Sequence, residues 1–191
     1  MSKFAALDLG RVVAAHGRHF VVESPEGERT ICHPRGKKSD CVVGDLVRWQ
    51  PAGDEGVIEH IEPRRNLMHR QDEWKTKSFA ANLDAVLVIV AADPPFSEAQ
   101  LARALIAAES AGIAADVLLN KCDLPQAAAA RDRLAPYRAM GVPVHEVAMK
   151  ASPDAARAVL TPLLTGRTTL VLGPSGMGKS TLINLMVPGA T

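Results

Sequence analysis

The chain has 191 residues, which is enough for one medium domain or two small ones. Its residues are 47% hydrophobic and 23% charged, with a net charge of +1, as in an ordinary globular protein. It contains no run of roughly 18 apolar residues, the length that a membrane helix needs, and its first residues lack the apolar core of a secretory signal. The three cysteines show no CxxC spacing, which argues against a disulfide framework or a zinc site within the chain. These features predict a cytoplasmic protein that has no membrane partner.

Positive charge is concentrated in the first part of the chain. Residues 1–79 hold more than half of the lysines and arginines and all but one of the six histidines. Candidate RNA-binding residues in the local clusters are Arg35, Lys37, Lys38, Arg64, Arg65 and Arg70. Because acidic residues are interleaved with them, a solvated surface is the alternative interpretation, and RNA binding needs support from the fold.

Five short apolar runs separated by turn residues predict a small all-β domain over residues 1–70. The turns contain Gly and Pro at the positions that tight connections favour. Five strands in so short a span predict an OB-fold barrel, a fold that often binds oligonucleotides. Phe20 and Trp49 are its main aromatic candidates, and both are also suited to a core, so contact with phosphates and folded RNA is favoured over base stacking along a single strand. The predicted strands are Arg11–Ala15, His19–Val22, Thr30–His33, Leu46–Gln50 and Gly56–Ile61.

A basic, extended linker at residues 71–79 is followed by an α/β pattern over residues 80–191. Ala85–Ala91 is a continuous apolar run of the kind found in buried parallel strands. Ser97 and Gln100 then predict a capping box at the start of a helix. The further predicted elements are strands at Ala115–Leu119, Val142–Val147 and Thr168–Leu172 and helices at Gln126–Met140 and from Pro153 to Leu164.

Residues 173–180 match the phosphate-binding pattern G-x4-G-K-[ST]. Gly176 and Gly178 permit a backbone whose N–H groups surround an anion, and the following helix directs its positive end at the phosphates. Lys179 can neutralise phosphate charge, and the Ser180 hydroxyl can bind Mg²⁺. The predicted phosphate-binding residues are Gly173, Pro174, Ser175, Gly176, Met177, Gly178, Lys179, Ser180 and Thr181.

A second motif, Asn120-Lys121-Cys122-Asp123, ends the predicted strand Ala115–Leu119. The Asp123 carboxylate can accept from guanine N1–H and from the exocyclic amine, a donor pair that adenine lacks. The Lys121 stem can lie along the base, and Asn120 can tie this segment to the phosphate loop. Ala148, Met149 and Lys150 follow the next strand, where GTPases carry a segment whose backbone N–H reads guanine O6. Both segments lie at carboxyl ends of parallel strands, where such sheets bind ligands.

The order of the motifs is unusual, because GTPases ordinarily carry the phosphate loop before N-K-x-D. A circularly permuted GTPase behind a small basic barrel resembles the RsgA (YjeQ) family of bacterial ribosome-associated GTPases. The segments that carry the resemblance are VGD at 43–45, PRRNLMHR at 63–70, AANLDAVLVIV at 80–90, LNKCDL at 119–124 and LGPSGMGKSTLINLM at 172–186.

This resemblance implies an OB-fold that contacts ribosomal RNA and a GTPase that uses Mg²⁺ with GTP or GDP. It further implies stimulation by the small ribosomal subunit and a role in the late maturation of that subunit. Family members continue into a switch segment with a D-T-P-G motif and a zinc-binding domain, so zinc is expected only beyond Thr191. We therefore expect a sheet of about four strands with Thr168–Leu172 at its edge, weak nucleotide binding and negligible hydrolysis by this chain alone.

Two alternatives remain at this point. One is an RNA-binding module whose nucleotide-binding part is a passive remnant that does not switch. The other is a phosphate-loop ATPase in which N-K-x-D has arisen by chance. An RNA affinity that depends on the bound nucleotide would indicate a switch rather than a passive module. Protection against unfolding by GTP but not by ATP would exclude the ATPase.

Overall fold

The computed structural model describes residues 4, 6–36, 40–72, 75–187 and 189, with the backbone alone for residues 70–72 and 75–77. The chain forms two compact units, Met1–Leu83 and Asp84–Thr191. We call them the barrel unit and the sheet unit. No helix in the described part of the chain has both the length and the apolar character that a membrane crossing would require.

The barrel unit contains a closed five-stranded barrel with the strand order β1-β2-β3-β5-β4, in which β4 returns to pair with β1. Neighbouring strands are antiparallel except β3 and β5, which are parallel. This arrangement confirms the predicted barrel, and each strand overlaps a predicted one. The strands are β1 (Asp8–His16), β2 (His19–Glu23), β3 (Arg29–Pro34), β4 (Leu46–Ala52) and β5 (Glu55–Ile61).

Alternation along the strands fills the barrel with apolar side chains. Val12, Val22 and Val47 are fully buried, and Phe20 and Trp49 retain 4% and 8% of their exposure. Burial of that much apolar surface is the main stabilising term of so small a barrel. Because both large aromatic rings are used in this core, neither offers a face to a ligand.

The barrel unit contains a buried ion pair between Asp45 and Arg64. Asp45, which is completely buried, accepts from Arg64 at both carboxylate oxygens, with Nε–Oδ1 and Nη2–Oδ2 distances of 2.7 and 2.9 Å. The backbone N–H of Val42 also donates to Asp45 Oδ2, at 2.8 Å. The hydrogen bond to Asp45 raises the pKa of Arg64. Three donors therefore compensate a carboxylate that would otherwise be costly to bury.

The segment that carries Asp45 also packs against the end of the barrel unit. Gly44 has a φ of +93°, and a Cβ there would lie 2.0 Å from the carbonyl oxygen of Ala81, so only glycine fits. The buried side chain of Asn82 donates to Gly44 O at 3.0 Å, while its Oδ1 accepts from the Arg65 N–H at 2.8 Å. These contacts give the VGD, PRRN and AANLD segments a common structural role.

Residues 71–72 and 75–79 of the predicted linker form part of a hairpin, β6 (Leu67–Asp72) and β7 (Lys75–Ala81), within the barrel unit. Its base is fastened by Asn66, which donates to Leu83 O at 2.8 Å and accepts from the Leu83 N–H at 2.9 Å. The structure thus divides the chain between Leu83 and Asp84, beyond the predicted linker at 71–79. The sequence favoured a linker because charged residues obscure the alternation that marks a strand.

The sheet unit has four parallel strands in the order β10-β9-β8-β11, with β11 at one edge, as expected. Seven consecutive buried residues in β8 explain its uninterrupted apolar sequence. The strands are β8 (Ala85–Ala91), β9 (Ala114–Asn120), β10 (Val144–Glu146) and β11 (Thr169–Leu172). The helices are α1 (Glu98–Ser110), α2 (Ala127–Ala139), α3 (Pro153–Leu164) and α4 (Lys179–Met186).

Helix starts in the sheet unit follow the sequence signals only in part. Ser97 caps α1 by accepting from the Gln100 N–H at 3.3 Å, as predicted. Pro153 occupies the first turn of α3, but the Ser152 side chain makes no capping bond. A core beneath the phosphate loop joins α3 and α4 to the sheet through residues such as Leu160, Leu182 and Met177. The loop therefore rests on a packed layer.

The cysteines provide a test of barrel packing. Burial, and to a smaller extent the negative charge of Glu55, raises the pKa of Cys32 to about 11. Burial, and to a smaller extent the negative charge of Asp45, raises the pKa of Cys41 to about 12. In the unfolded chain these thiols have the ordinary pKa of about 9, so they ionise at a lower pH than in the folded chain. Above about pH 9 the two thiols therefore favour the unfolded chain and lower the free energy of unfolding. We expect urea unfolding at pH 8 and 10 to show a smaller decline for C32A/C41A than for the unsubstituted chain. An equal decline would contradict the burial of these thiols.

Candidate nucleotide-binding site

The candidate site lies where the strands of the sheet unit end at their carboxyl side. The phosphate loop follows β11, and the N-K-x-D segment ends β9, although it precedes the loop in the chain. Because β8 pairs in parallel with both β9 and β11, the two motifs follow the carboxyl ends of strands on the same side of the sheet. The fold therefore brings together motifs that are far apart in sequence, as the permuted order predicts.

The phosphate loop turns sharply into α4. Gly178 is the N-cap of the helix and has a φ of +115°, and a Cβ on it would lie 2.4 Å from Nδ2 of Asn120. Glycine is therefore required both by the backbone and by the neighbouring side chain. The positive end of α4, which starts at Lys179, faces the cleft that the loop borders.

Lys179 holds the loop in its curved form. Its ammonium donates to the carbonyl oxygens of Gly173 and Pro174, at 2.6 and 2.7 Å. The charge is therefore positioned by the loop itself, at the place where a polyphosphate would lie. A phosphate oxygen would compete with these carbonyls and would form the stronger, charge-assisted bond.

Asn120 connects the base and phosphate sides of the cleft. It is 4% exposed, and its Nδ2 donates to Met177 O in the phosphate loop at 3.0 Å. Its Oδ1 accepts from the Met149 N–H at 3.2 Å, which joins the segment after β10 to the same side chain. The first bond confirms the predicted tie to the phosphate loop, and the second was missed because no sequence signal identifies which N–H an amide oxygen will meet.

The neighbouring residues of the motif point in different directions. Lys121 adopts a left-handed backbone, with a φ of +61°, and its ammonium donates to Asp93 O at 2.6 Å. Asp123 is exposed and borders the cleft. The Cys122 thiol turns back to Leu119 O at 3.3 Å, and burial raises its pKa. The Asp123 carboxylate is thus exposed at the cleft, while the Lys121 ammonium is held by Asp93 O.

The cleft has a volume of about 430 Å³ and is bordered by most of the predicted residues. Of the predicted set, Cys122, Ala148, Gly173, Pro174 and Met177 lie in the same loops without bordering it. The sequence patterns did not identify Leu124, which follows the motif and completes the wall. The predicted residues that border it are Asn120, Lys121, Asp123, Met149, Lys150, Ser175, Gly176, Gly178, Lys179, Ser180 and Thr181.

The chemistry of the lining suits a magnesium nucleotide. Lys121, Lys150 and Lys179 border the cleft together with a single carboxylate, that of Asp123, so the lining favours a polyanion. Ser180 is exposed at the start of α4 and offers one hydroxyl. Mg²⁺ typically takes few protein ligands and completes its shell with phosphate oxygens and water, so one hydroxyl is a fitting contribution. Within the described residues, no group of three His, Cys, Asp or Glu side chains could hold a metal ion without a ligand.

The predicted RNA-binding residues of the barrel unit have varied surroundings. The Arg35 side chain is 68% exposed and pairs with Glu59, whereas Arg64 forms the buried pair with Asp45. Arg65 donates to Asn82 O at 3.0 Å. Lys37 and Lys38 lie outside the described residues, as does the side chain of Arg70. The structure thus gives Arg64 and Arg65 roles in packing.

Substitution of Gly178 by alanine should disable the cleft. The new Cβ would displace the Asn120 amide and the backbone would be strained, so we expect nucleotide affinity to fall at least tenfold. Titration with fluorescent mant-GDP would measure the loss. Gly166→Ala is the matched control, because it has a φ of +71° but nothing within 4 Å of the added Cβ. An equal loss in both variants would show that general backbone strain, rather than the Asn120 contact, is responsible.

Comparison with known proteins adds to this geometry. The family model described as RsgA GTPase matches residues 61–191. The small ribosomal subunit biogenesis GTPase RsgA of Variovorax paradoxus is 63% identical over 183 residues, and the protein of the same name from Burkholderia pseudomallei is 54% identical over 184 residues. Each alignment covers 95% of this chain, but this chain spans only 58% and 59% of the length of those relatives.

Two solved structures are similar to the chain. YjeQ from Thermotoga maritima aligns with a TM-score of 0.73 and 29% identity, over 96% of this chain and 66% of that structure. YloQ, described as a circularly permuted GTPase, aligns with a TM-score of 0.67 and 25% identity over the same shares. Both the barrel and the permuted sheet therefore have precedents.

Proposed function

Because the chain belongs to the RsgA GTPase family, we propose that it binds GTP and GDP in the cleft of the sheet unit and serves the maturation of the small ribosomal subunit. The observation that carries this proposal is the Asn120 side chain, which bonds Met177 O and the Met149 N–H at once. One buried amide thereby fixes the phosphate loop and the base-reading segments in a single arrangement. Preorganised groups of this kind lower the cost of binding.

The division of tasks follows from the cleft. At the phosphate end, the N-terminus of α4 and the Lys179 ammonium would hold the anion, and Ser180 would hold Mg²⁺. When bound, Mg²⁺ neutralises part of the phosphate charge. At the base end, the Asp123 carboxylate would accept from guanine N1–H and the exocyclic amine, while the Lys121 stem lies along the ring.

Guanine selectivity is tested by thermal unfolding. We expect 1 mM GTP or GDP with Mg²⁺ to raise the midpoint of unfolding of the sheet unit by several degrees, because a ligand that binds only the folded state stabilises it. We expect ATP at the same concentration to have no effect. Equal protection by ATP would support the phosphate-loop ATPase and contradict the role of Asp123.

The proposed partner is the small ribosomal subunit and its RNA, in the cytoplasm. This rests on the names of the relatives, which describe small ribosomal subunit biogenesis, and on the OB-type barrel, a fold that often binds oligonucleotides. The expectation that this chain alone hydrolyses GTP very slowly stays a prediction. Release of inorganic phosphate over many turnovers, in the presence of small subunits, would contradict it.

The passive RNA-binding module is the second candidate, and the internal bonding of the phosphate loop is the observation that favours it. Since Lys179 is already satisfied by two carbonyls, the loop holds its form without a nucleotide. Small-subunit affinity measured with a nonhydrolysable GTP analogue, with GDP and without nucleotide separates the two. Equal affinities support the passive module, and differing affinities support a switch.

A further inference from the structure

We propose that Glu146, which lies outside both nucleotide-binding motifs, is a positioning residue for guanine recognition. Two arginines of α2 hold its carboxylate and thereby fix the Asp123 segment relative to the segment at 148–150. This inference rests on the proposed nucleotide site and adds a residue to it. We call the group formed by Glu146, Arg131 and Arg138 the Glu146 bridge.

The two base-reading segments are carried by different elements. The Asp123 segment lies between β9 and α2, and residues 148–150 lie between β10 and α3. Guanine presents N1–H, its exocyclic amine and O6 along one edge, so the groups that read them from the two segments must stand at a fixed separation. Backbone bonds set part of this separation, because the Cys122 N–H donates to Val147 O at 3.1 Å and the Val147 N–H donates to Leu119 O at 2.9 Å.

The elements behind these segments have limited support of their own. β10 has three residues, all half-buried, and among the described strands it pairs only with β9. At the start of α2, the Gln126 side chain makes no capping bond, and the first turn contains no acidic residue. The helix start that follows Asp123 therefore lacks two usual sources of stabilisation. A link between β10 and α2 would compensate for both weaknesses.

Glu146 supplies this link from the end of β10. One carboxylate oxygen accepts from Arg131 Nε and the other from Arg138 Nη2, each at 2.8 Å. The two arginines are seven residues apart on α2, so they share one face of the helix two turns apart. Because each oxygen is bound by a different guanidinium, the carboxylate has one orientation. The Glu146 bridge thus fastens β10 to α2 at two points along the helix.

The Glu146 bridge also reaches the N-K-x-D motif. Burial, and to a smaller extent the charge of Glu146, raises the pKa of Cys122, the residue directly before Asp123. The Cys122 thiol itself donates to Leu119 O and does not border the cleft. None of the three residues of the bridge borders the cleft either. A change at Glu146 would therefore act on the backbone that carries Asp123 without removing any group that contacts the nucleotide.

Glu146→Gln tests this role, because it keeps the size of the side chain but presents an N–H to one of the two guanidiniums. We expect competition against mant-GDP to show a dissociation constant for GDP that is about three- to tenfold higher. IDP lacks the exocyclic amine that Asp123 would read, so its affinity should fall less and the preference for GDP over IDP should narrow. R131Q/R138Q, which removes the bridge from the helix side, should narrow the preference in the same way.

Glu98→Gln is the matched control. Glu98 joins α1 to the same helix through Arg133, at 2.9 Å, but this pair does not involve β10 and neither residue borders the cleft. We expect the affinity for GDP and the preference over IDP to stay within about twofold of those of the unsubstituted chain. An equal narrowing in E98Q and E146Q would show that loosening of α2 in general is responsible, and would overturn the inference.

A cycle with Asp123→Ala tests whether Glu146 acts through that carboxylate. In D123A there is no carboxylate to position, so adding E146Q should change the affinity for GDP by less than about twofold. The same loss with and without Asp123 would overturn the inference, as would an unchanged preference for GDP over IDP in E146Q; both results leave the nucleotide site intact. Failure of the unsubstituted chain to bind GDP would remove the proposed site and the inference together.

Discussion

Replacing Asp123 by asparagine should exchange guanine for xanthine selectivity. The carboxylate can accept two hydrogen bonds from guanine, whereas an amide accepts one and presents an N–H to the exocyclic amine. Loss of one bond to a charged group costs about 1.5–3 kcal/mol, and the two N–H groups repel each other, so GTP affinity should fall about 10- to 100-fold. Xanthine carries a carbonyl in place of that amine, so the amide can pair with it, and XTP should bind D123N better than GTP does.

Competition against mant-GDP with GTP, XTP and ATP measures this exchange. Asp116→Asn is a suitable control, because Asp116 lies on β9, the strand that precedes Asp123, but pairs with His145, at 3.0 Å, and does not border the cleft. Retained selectivity for GTP in D123N would show that the exposed carboxylate does not read the base. A loss of affinity for all three nucleotides would instead indicate a change in the shape of the cleft.

Replacing Arg64 by alanine should destabilise the barrel unit by about 3–5 kcal/mol, the usual effect of leaving one partner of a buried ion pair without compensation. The Asp45 carboxylate, which is completely buried in the unsubstituted chain, would lose both guanidinium bonds and keep the Val42 N–H as a donor. Arg64→Lys should recover only part of the loss, since an ammonium cannot form both bonds in the observed geometry. Urea unfolding followed by Trp fluorescence measures the effect, because Trp49 lies in the barrel core.

The double variant R64A/D45N separates electrostatics from packing. Replacing the uncompensated Asp45 carboxylate by a neutral amide should restore part of the stability that R64A loses, although the cavity left by the guanidinium remains. If D45N fails to improve R64A, the buried charge is not the source of the loss. A loss below about 1 kcal/mol in R64A would mean that the pair behaves like an exposed surface ion pair.

Sequence patterns predicted the elements that have one clear period or one strong motif. The buried strand Ala85–Ala91 was correct to the residue, because a short uninterrupted apolar run that ends at prolines is typical of a strand buried on both faces. The hairpin β6–β7 was not predicted, since its strands carry charged residues and it is fastened by asparagine side chains. Hydrogen bonds between side chains and a distant backbone leave no periodic trace in a sequence.

The candidate site shows the same division. The identities of Lys179 and Asp123 follow from motifs whose chemistry is specific, and their convergence follows from the parallel sheet. The second bond of Asn120 and the Asp93 carbonyl beneath Lys121 could not be predicted, because both depend on loop conformation. In the barrel unit, Arg35 pairs with Glu59 on β5 and Arg64 pairs with Asp45 just before β4, and neither partner could be identified from the sequence.

The short connection between α3 and β11 has a consequence for how the cleft is held together. Residues 165–168 are the covalent link between the part of the sheet unit that carries N-K-x-D and the part that carries the phosphate loop. Asp84 and Thr168 are already joined by two hydrogen bonds, at 2.8 and 2.7 Å, and β11 pairs along β8. A protease cut at Gly166 would therefore leave two fragments that the sheet still holds together. The hydrogen bond from Asn120 to Met177 would then join two separate chains. Because a nucleotide would contact both fragments, it should promote their reassociation after they are separated.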